Sequence, residues 1–136
     1  MQDRPDSREL VEAVAAFLEK EIAPILTDPR LRFRGLIAAN VLNIVARELA
    51  AGDEPLRAEW ERLVALLHEP SQVPPRDHAA LVRHVMVLNE KLCDEIRTHK
   101  ADDDPWFDKV MEHVQATVIQ KLRVTNPRYL ERVREG

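Results

Sequence analysis

Apolar residues recur at helical spacing through four long stretches of this 136-residue chain, and Pro, Gly or Asp breaks divide them. That period puts the apolar side chains on one face of a helix, whereas a strand needs alternation. The first helix is expected over about Ser7–Leu26, with Leu10, Val11, Val14, Phe17, Leu18, Ile22 and Ile25 recurring at helical spacing. Asp6 and Glu9 form a capping box at its start, and Pro24 kinks or ends it. The second runs from Arg30 to Ala51, with Phe33, Ile37, Val41, Ile44 and Val45 as core positions and Gly52 as its stop. A shorter helix from Pro55 to about His68 carries Leu56, Trp60, Leu63, Val64 and Leu67. The next starts at the cap Asp77 and reaches Thr98, with Leu81, Val85, Leu88, Leu92 and Ile96 inward. The run Asp102-Asp103-Asp104-Pro105 starts the last long helix, which continues to Val124. Asn126-Pro127 breaks it, and Tyr129–Arg134 make one last turn.

Three glycines and 4% aromatics are too few for a strand-rich fold. The linker from Glu69 to Arg76 is too short to separate domains. The chain therefore reads as one all-α domain over residues 1–136. Its architecture is an antiparallel bundle of four long helices, one short helix and a short C-terminal turn.

A net charge of −4 argues against a nucleic-acid binder, which needs excess Lys and Arg for phosphates. The longest apolar runs span only four residues, such as Leu36 to Ala39, so no membrane span is expected. The polar start Met-Gln-Asp-Arg-Pro lacks the apolar core of a signal peptide, and Cys93 stands alone, which fits a reducing compartment. A cytoplasmic location is expected.

Metal and covalent chemistry find little support. A di-iron bundle needs Glu-x-x-His elements, and none occurs. The histidines His68, His78, His84, His99 and His113 form no His-x-x-x-His pair, and Glu95 with His99 is a single weak pair. Cys93 lies beside the apolar arc of its helix and reads as a small buried thiol. Gly-x-Ser-x-Gly, P-loop and dinucleotide motifs are missing. No catalytic residue, metal or cofactor is assigned.

The polar residues on the apolar arcs demand explanation, because a polar group inside a bundle costs free energy unless it finds a partner. Asn89 falls between Val85, Leu92 and Ile96. Asn40 stands at the margin of the second helix's arc, Arg47 and Glu48 on or beside it, and Lys121 follows Val114 and Val118. Three accounts compete: groups that fix helix register or pair near the bundle end, groups that line a polar pocket, and groups on a surface that meets a partner. Basic clusters at Arg30, Arg32 and Arg34, and at Lys121, Arg123, Arg128, Arg132 and Arg134, would suit an anionic ligand, or merely solvate helix ends.

Several stretches resemble a poorly characterised family of small all-helical bacterial proteins. They are Leu36-Ile37-Ala38-Ala39-Asn40-Val41-Leu42-Asn43-Ile44-Val45-Ala46-Arg47-Glu48-Leu49, then Leu88-Asn89-Glu90-Lys91-Leu92 with Ile96-Arg97. Lys121-Leu122-Arg123-Val124 with Asn126-Pro127-Arg128-Tyr129-Leu130 is the third, its end the most specific part, and the opening from Arg4-Pro5 through Leu10 also fits. Members of that family are encoded beside aminoglycoside-phosphotransferase-like kinases and acyl-CoA dehydrogenases. The resemblance implies a non-catalytic accessory or interaction protein that supports such a kinase in hydroxyacyl-CoA or fatty-acid catabolism. Its partner would be the kinase or another protein of the acyl-CoA dehydrogenase pathway, and self-association is compatible with it. Asn126, Arg128 and Tyr129, just past the last long helix, are the partner-binding residues expected. The alternative is a small helical enzyme or carrier that holds an anionic metabolite or acyl-CoA in a polar pocket.

Overall fold

The computed structural model describes residues 4–70, 73–98 and 105–135. Among them every regular element is helical, so the fold class is all-α. No single helix among the described residues is long and apolar enough to cross a membrane. The chain divides into two compact units, Met1–Gly52 and Asp53–Gly136.

The first unit opens with α1 (Ser7–Phe17), where the expected capping box is complete: Glu9 N–H donates to Asp6 Oδ1 and Asp6 N–H to Glu9 Oε2, each at 2.8 Å. A π-helical turn follows over Leu18–Ile22, then the three-residue α2 (Ala23–Ile25). Pro24 explains both, because it lacks an N–H and its ring crowds the carbonyl four residues back. The wider turn, closed by Ala23 N–H on the carbonyl of Leu18, makes room for it, and the backbone turns extended at Leu26. Asp28 then caps α3 (Pro29–Ala51) through a 2.9 Å bond from Arg30 N–H, and α3 packs along α1.

The buried side chains of this unit are alanines: Ala15, Ala23, Ala39 and Ala46. Small side chains let two helices approach closely, so they mark the contact face. Phe33, Ile37 and Val41, expected as core, are instead 64%, 46% and 51% exposed. The reason is geometric. With the alanine face against α1, the larger side chains are carried around to the open side, while Ile44 and Val45 are half-buried.

The second unit holds α4 (Glu54–Leu66), α5 (His78–Thr98), α6 (Pro105–Thr125) and α7 (Pro127–Glu135). Its core joins Trp60, Leu63 and Leu66 of α4 to Leu81, Val85, Leu88 and Leu92 of α5 and Val110 of α6. Burying such side chains contributes roughly 1.5–3 kcal/mol each, against about 0.8 kcal/mol for one alanine methyl, so this unit holds most of the hydrophobic stabilisation. Asp77 caps α5 as expected, with Ala80 N–H on its Oδ2 at 2.8 Å. The expected acidic start at Asp102–Asp104 and His99 lie outside the described residues. The last turn expected at Tyr129–Arg134 is a nine-residue helix.

Both α5 and α6 pack on α4. Two tryptophans tie them there. The Trp106 indole N–H donates to the Leu66 carbonyl at 3.3 Å. That of Trp60 donates to Nδ1 of His84 at 3.2 Å, with the two rings stacked at 17°.

Candidate functional site

The second unit buries two ionisable side chains beside its core: Glu59, 8% exposed, and His113, 5% exposed. Both follow from helical spacing. Glu59 lies between Leu56 and Leu63 on the inner face of α4, and His113 comes one turn after Val110 on α6. Asn89 reaches across from α5 and donates its Nδ2 hydrogens to Glu59 Oε1 at 3.0 Å and to the Val85 carbonyl at 3.1 Å. Arg62, one turn along α4 from Glu59, aims its guanidinium at α6. Its Nη2 donates to Gln120 Oε1 at 3.0 Å and to Thr117 Oγ1 at 3.3 Å.

The cluster is incompletely satisfied. Arg62 Nε and His113 Nδ1 are buried without a hydrogen-bond partner, a state that native interiors largely avoid. Burial holds the His113 pKa below its ordinary value, the Arg62 charge pushes the same way, and Glu59 opposes them. The imidazole is therefore kept neutral beside a carboxylate and a guanidinium.

This cluster opens into a groove of about 830 Å³ between α5 and α6, with Glu59 of α4 in its lining. Leu92, Ile96, Val114 and Val118 supply apolar wall, and Asn89, His113, Thr117 and Lys121 polar points. A second hollow of about 550 Å³ is also lined by His113, together with Arg62, His68 and Trp106. Such volumes suit a small organic ligand with a polar head. Among the described residues no group of three or more His, Cys, Asp or Glu stands together to hold a metal.

The structure scatters the residues that the sequence singled out. Asn89 is half-buried and central to the cluster, and Lys121 is exposed on the groove wall. Asn40 and Glu48 are exposed on α3, so neither lies in a polar core, because the alanine face took the packed side of that helix. Arg47 is half-buried there. Cys93, read as a buried thiol, is exposed and lines the groove instead of the core. Asn126, Arg128 and Tyr129 are exposed around the start of α7, where the Asn126 carbonyl accepts the Tyr129 N–H at 3.1 Å. Sequence reasoning missed Glu59, Arg62 and His113. The signal was present for two of them, since Glu59 and His113 occupy stripe positions on their own helices.

Fold and site together define an all-helical protein with a buried polar cluster under an open apolar groove. Residues 25–129 match the pattern of the domain-of-unknown-function family DUF6285, and the chain belongs to that family. No curated protein and no solved structure matches it.

Proposed function

We propose that this protein is a non-catalytic accessory protein that binds a phosphotransferase-like kinase and supports it in hydroxyacyl-CoA or fatty-acid breakdown. The observation that carries the binding role is the number of large apolar side chains that the two long helices of the first unit leave exposed. There Leu10, Val14 and Phe17 of α1 and Phe33, Ile37 and Val41 of α3 are all exposed. Rows of large apolar side chains left in water on a helix face are candidates for an interaction surface. The choice of a kinase rests on the resemblance carried by the α3, α5 and α6–α7 stretches. Tyr129, 47% exposed, and Arg128 are residue types favoured as interface anchors.

The test is to produce a phosphotransferase-like kinase of acyl-CoA metabolism with and without this protein and assay phosphorylation of a hydroxyacyl-CoA. A complex on size exclusion, with higher kinase solubility or rate, is the expected result. Equal rate and solubility with no complex would refute the role. Phe33→Ser and Tyr129→Ala should weaken the complex more than Glu61→Ala does.

A further inference from the structure

We propose that the groove between α5 and α6 binds a small organic amine, with the ammonium on Glu59 and the apolar body along Ile96, Val114 and Val118. This does not rest on the kinase reading. Glu59 is a carboxylic acid side chain almost wholly out of water, and its one hydrogen bond is the neutral amide of Asn89 on Oε1. Among the described residues Oε2 has no hydrogen-bond partner, and no Lys, Arg or His nitrogen lies within ion-pair distance of either oxygen. Oε2 faces the open groove, since the sealed unpartnered atoms of the cluster are Arg62 Nε and His113 Nδ1. A carboxyl group at the floor of a largely apolar groove, with no ion-pair partner of its own, is a ready acceptor for a cation that enters the groove.

The neighbours do not supply it. Arg62 turns its guanidinium to Thr117 and Gln120. His113 is held neutral by burial and by Arg62. Among the groove's lining residues Glu59, Glu90 and Asp94 stand against Arg97 and Lys121; Arg97 already pairs with Asp94 at 2.8 Å, and Arg62 lies behind the wall on Thr117 and Gln120. Lys121 sits two turns beyond His113 on α6 and is exposed, where water and salt screen it. A ligand ammonium meets all of these conditions, because it donates to Oε2 in a charge-assisted bond and cancels the buried charge. Its alkyl body covers apolar wall that is otherwise wet. An anionic head group would instead face the carboxylate.

Hexylamine, hexanol and hexanoate, matched in length, separate the head groups. On the full-length protein, hexylamine should raise the melting temperature in a saturable way, as a ligand of the folded state does. Hexanol should do so less, and hexanoate not at all. Glu59→Gln keeps an acceptor for Asn89 and removes the charge, so it should weaken hexylamine binding by about tenfold or more while leaving the unliganded protein as stable or more so. Val118→Trp fills the groove from a half-exposed wall and should abolish the response even if Glu59→Gln does not fold. The proposal is overturned if hexylamine has no effect, if hexanoate matches it, or if the response survives in either folded variant.

Discussion

Asn89 shows how one side chain links helix packing to the chemistry of the groove. It is the hydrogen-bond donor to Glu59, on Oε1, so its removal takes that partner from a mostly buried side chain as well as losing a bond of its own. Asn89→Ala is expected to cost roughly 1–3 kcal/mol of stability, read as a lower urea midpoint. Asn89→Leu fits the apolar surroundings, yet it should be destabilising too, for the same reason. If register alone mattered, leucine would be neutral. The decisive comparison is the double variant Asn89→Leu with Glu59→Met, which removes both partners. It should recover most of the loss, because replacing a buried polar pair by apolar groups is often near neutral. Additive losses in the two single variants would show that the pair is not coupled.

His113 gives the protein a stability that depends on pH. Its folded pKa lies below the unfolded value of 6.5, so the unfolded chain binds the proton more readily. The contribution is fully present above the unfolded value and is lost as pH falls through it toward the folded pKa. Acid should therefore lower the melting temperature more steeply in the wild type than in His113→Leu. Glu59 and Arg62 face the imidazole from α4, Glu112 and Lys109 flank it on α6, and His68 borders the same hollow. Comparing the two slopes cancels the other titrating groups. Parallel slopes would mean that the ring is not held neutral.

At the scale of elements, ends and breaks were the most legible part of the chain. The capping box at Asp6, the cap at Asp77 and the disturbance at Pro24 are local chemistry, and each appears where short-range rules place it. The choice of packed face was not legible for α3. Its stripe of Phe33, Ile37 and Val41 and its row of small residues both recur at helical spacing, and only the partner decides which is buried. Against α1 the close approach through Ala39 and Ala46 won. Glu59 and His113 were hidden for a related reason. A charged residue on a stripe reads as tolerated or marginal until the opposing helix shows whether it reaches water. The sequence rules also give no warning of His68, which ends α4 at φ +53°. The Glu69 N–H bonds the Val64 carbonyl at 3.1 Å, and the His68 N–H that of Ala65 at 3.4 Å. That is a Schellman closure with histidine where glycine is preferred. His68→Gly should relieve the left-handed strain and stabilise the protein by about 0.5–1 kcal/mol. A lower urea midpoint would show that the ring contact to the Ala65 carbonyl, at 3.2 Å, outweighs the strain.

For the molecule as a whole, the uneven distribution of large buried side chains predicts uneven local stability. The second unit buries two full leucines, Leu63 and Leu81, within an eight-residue core, whereas the first buries alanines alone. Conformational entropy must be offset residue by residue, and methyl groups offset little of it. Amides of α4 and α5 should therefore exchange with solvent deuterium only on global unfolding, and those of α1 and α3 through a cheaper local opening. The same reasoning gives the accessory role a signature that activity cannot supply. A partner that covers exposed apolar residues of α1 and α3 adds the burial which the first unit lacks. Exchange there should slow selectively when the kinase is added, while α4 and α5, already well protected, change little. Hexylamine should do the opposite, slowing exchange around α5 and α6 and leaving α1 and α3 as they were. Slowing of α5 and α6 by the kinase, with α1 and α3 unmoved, would place the partner surface on the groove and take the first unit's apolar side out of the accessory role.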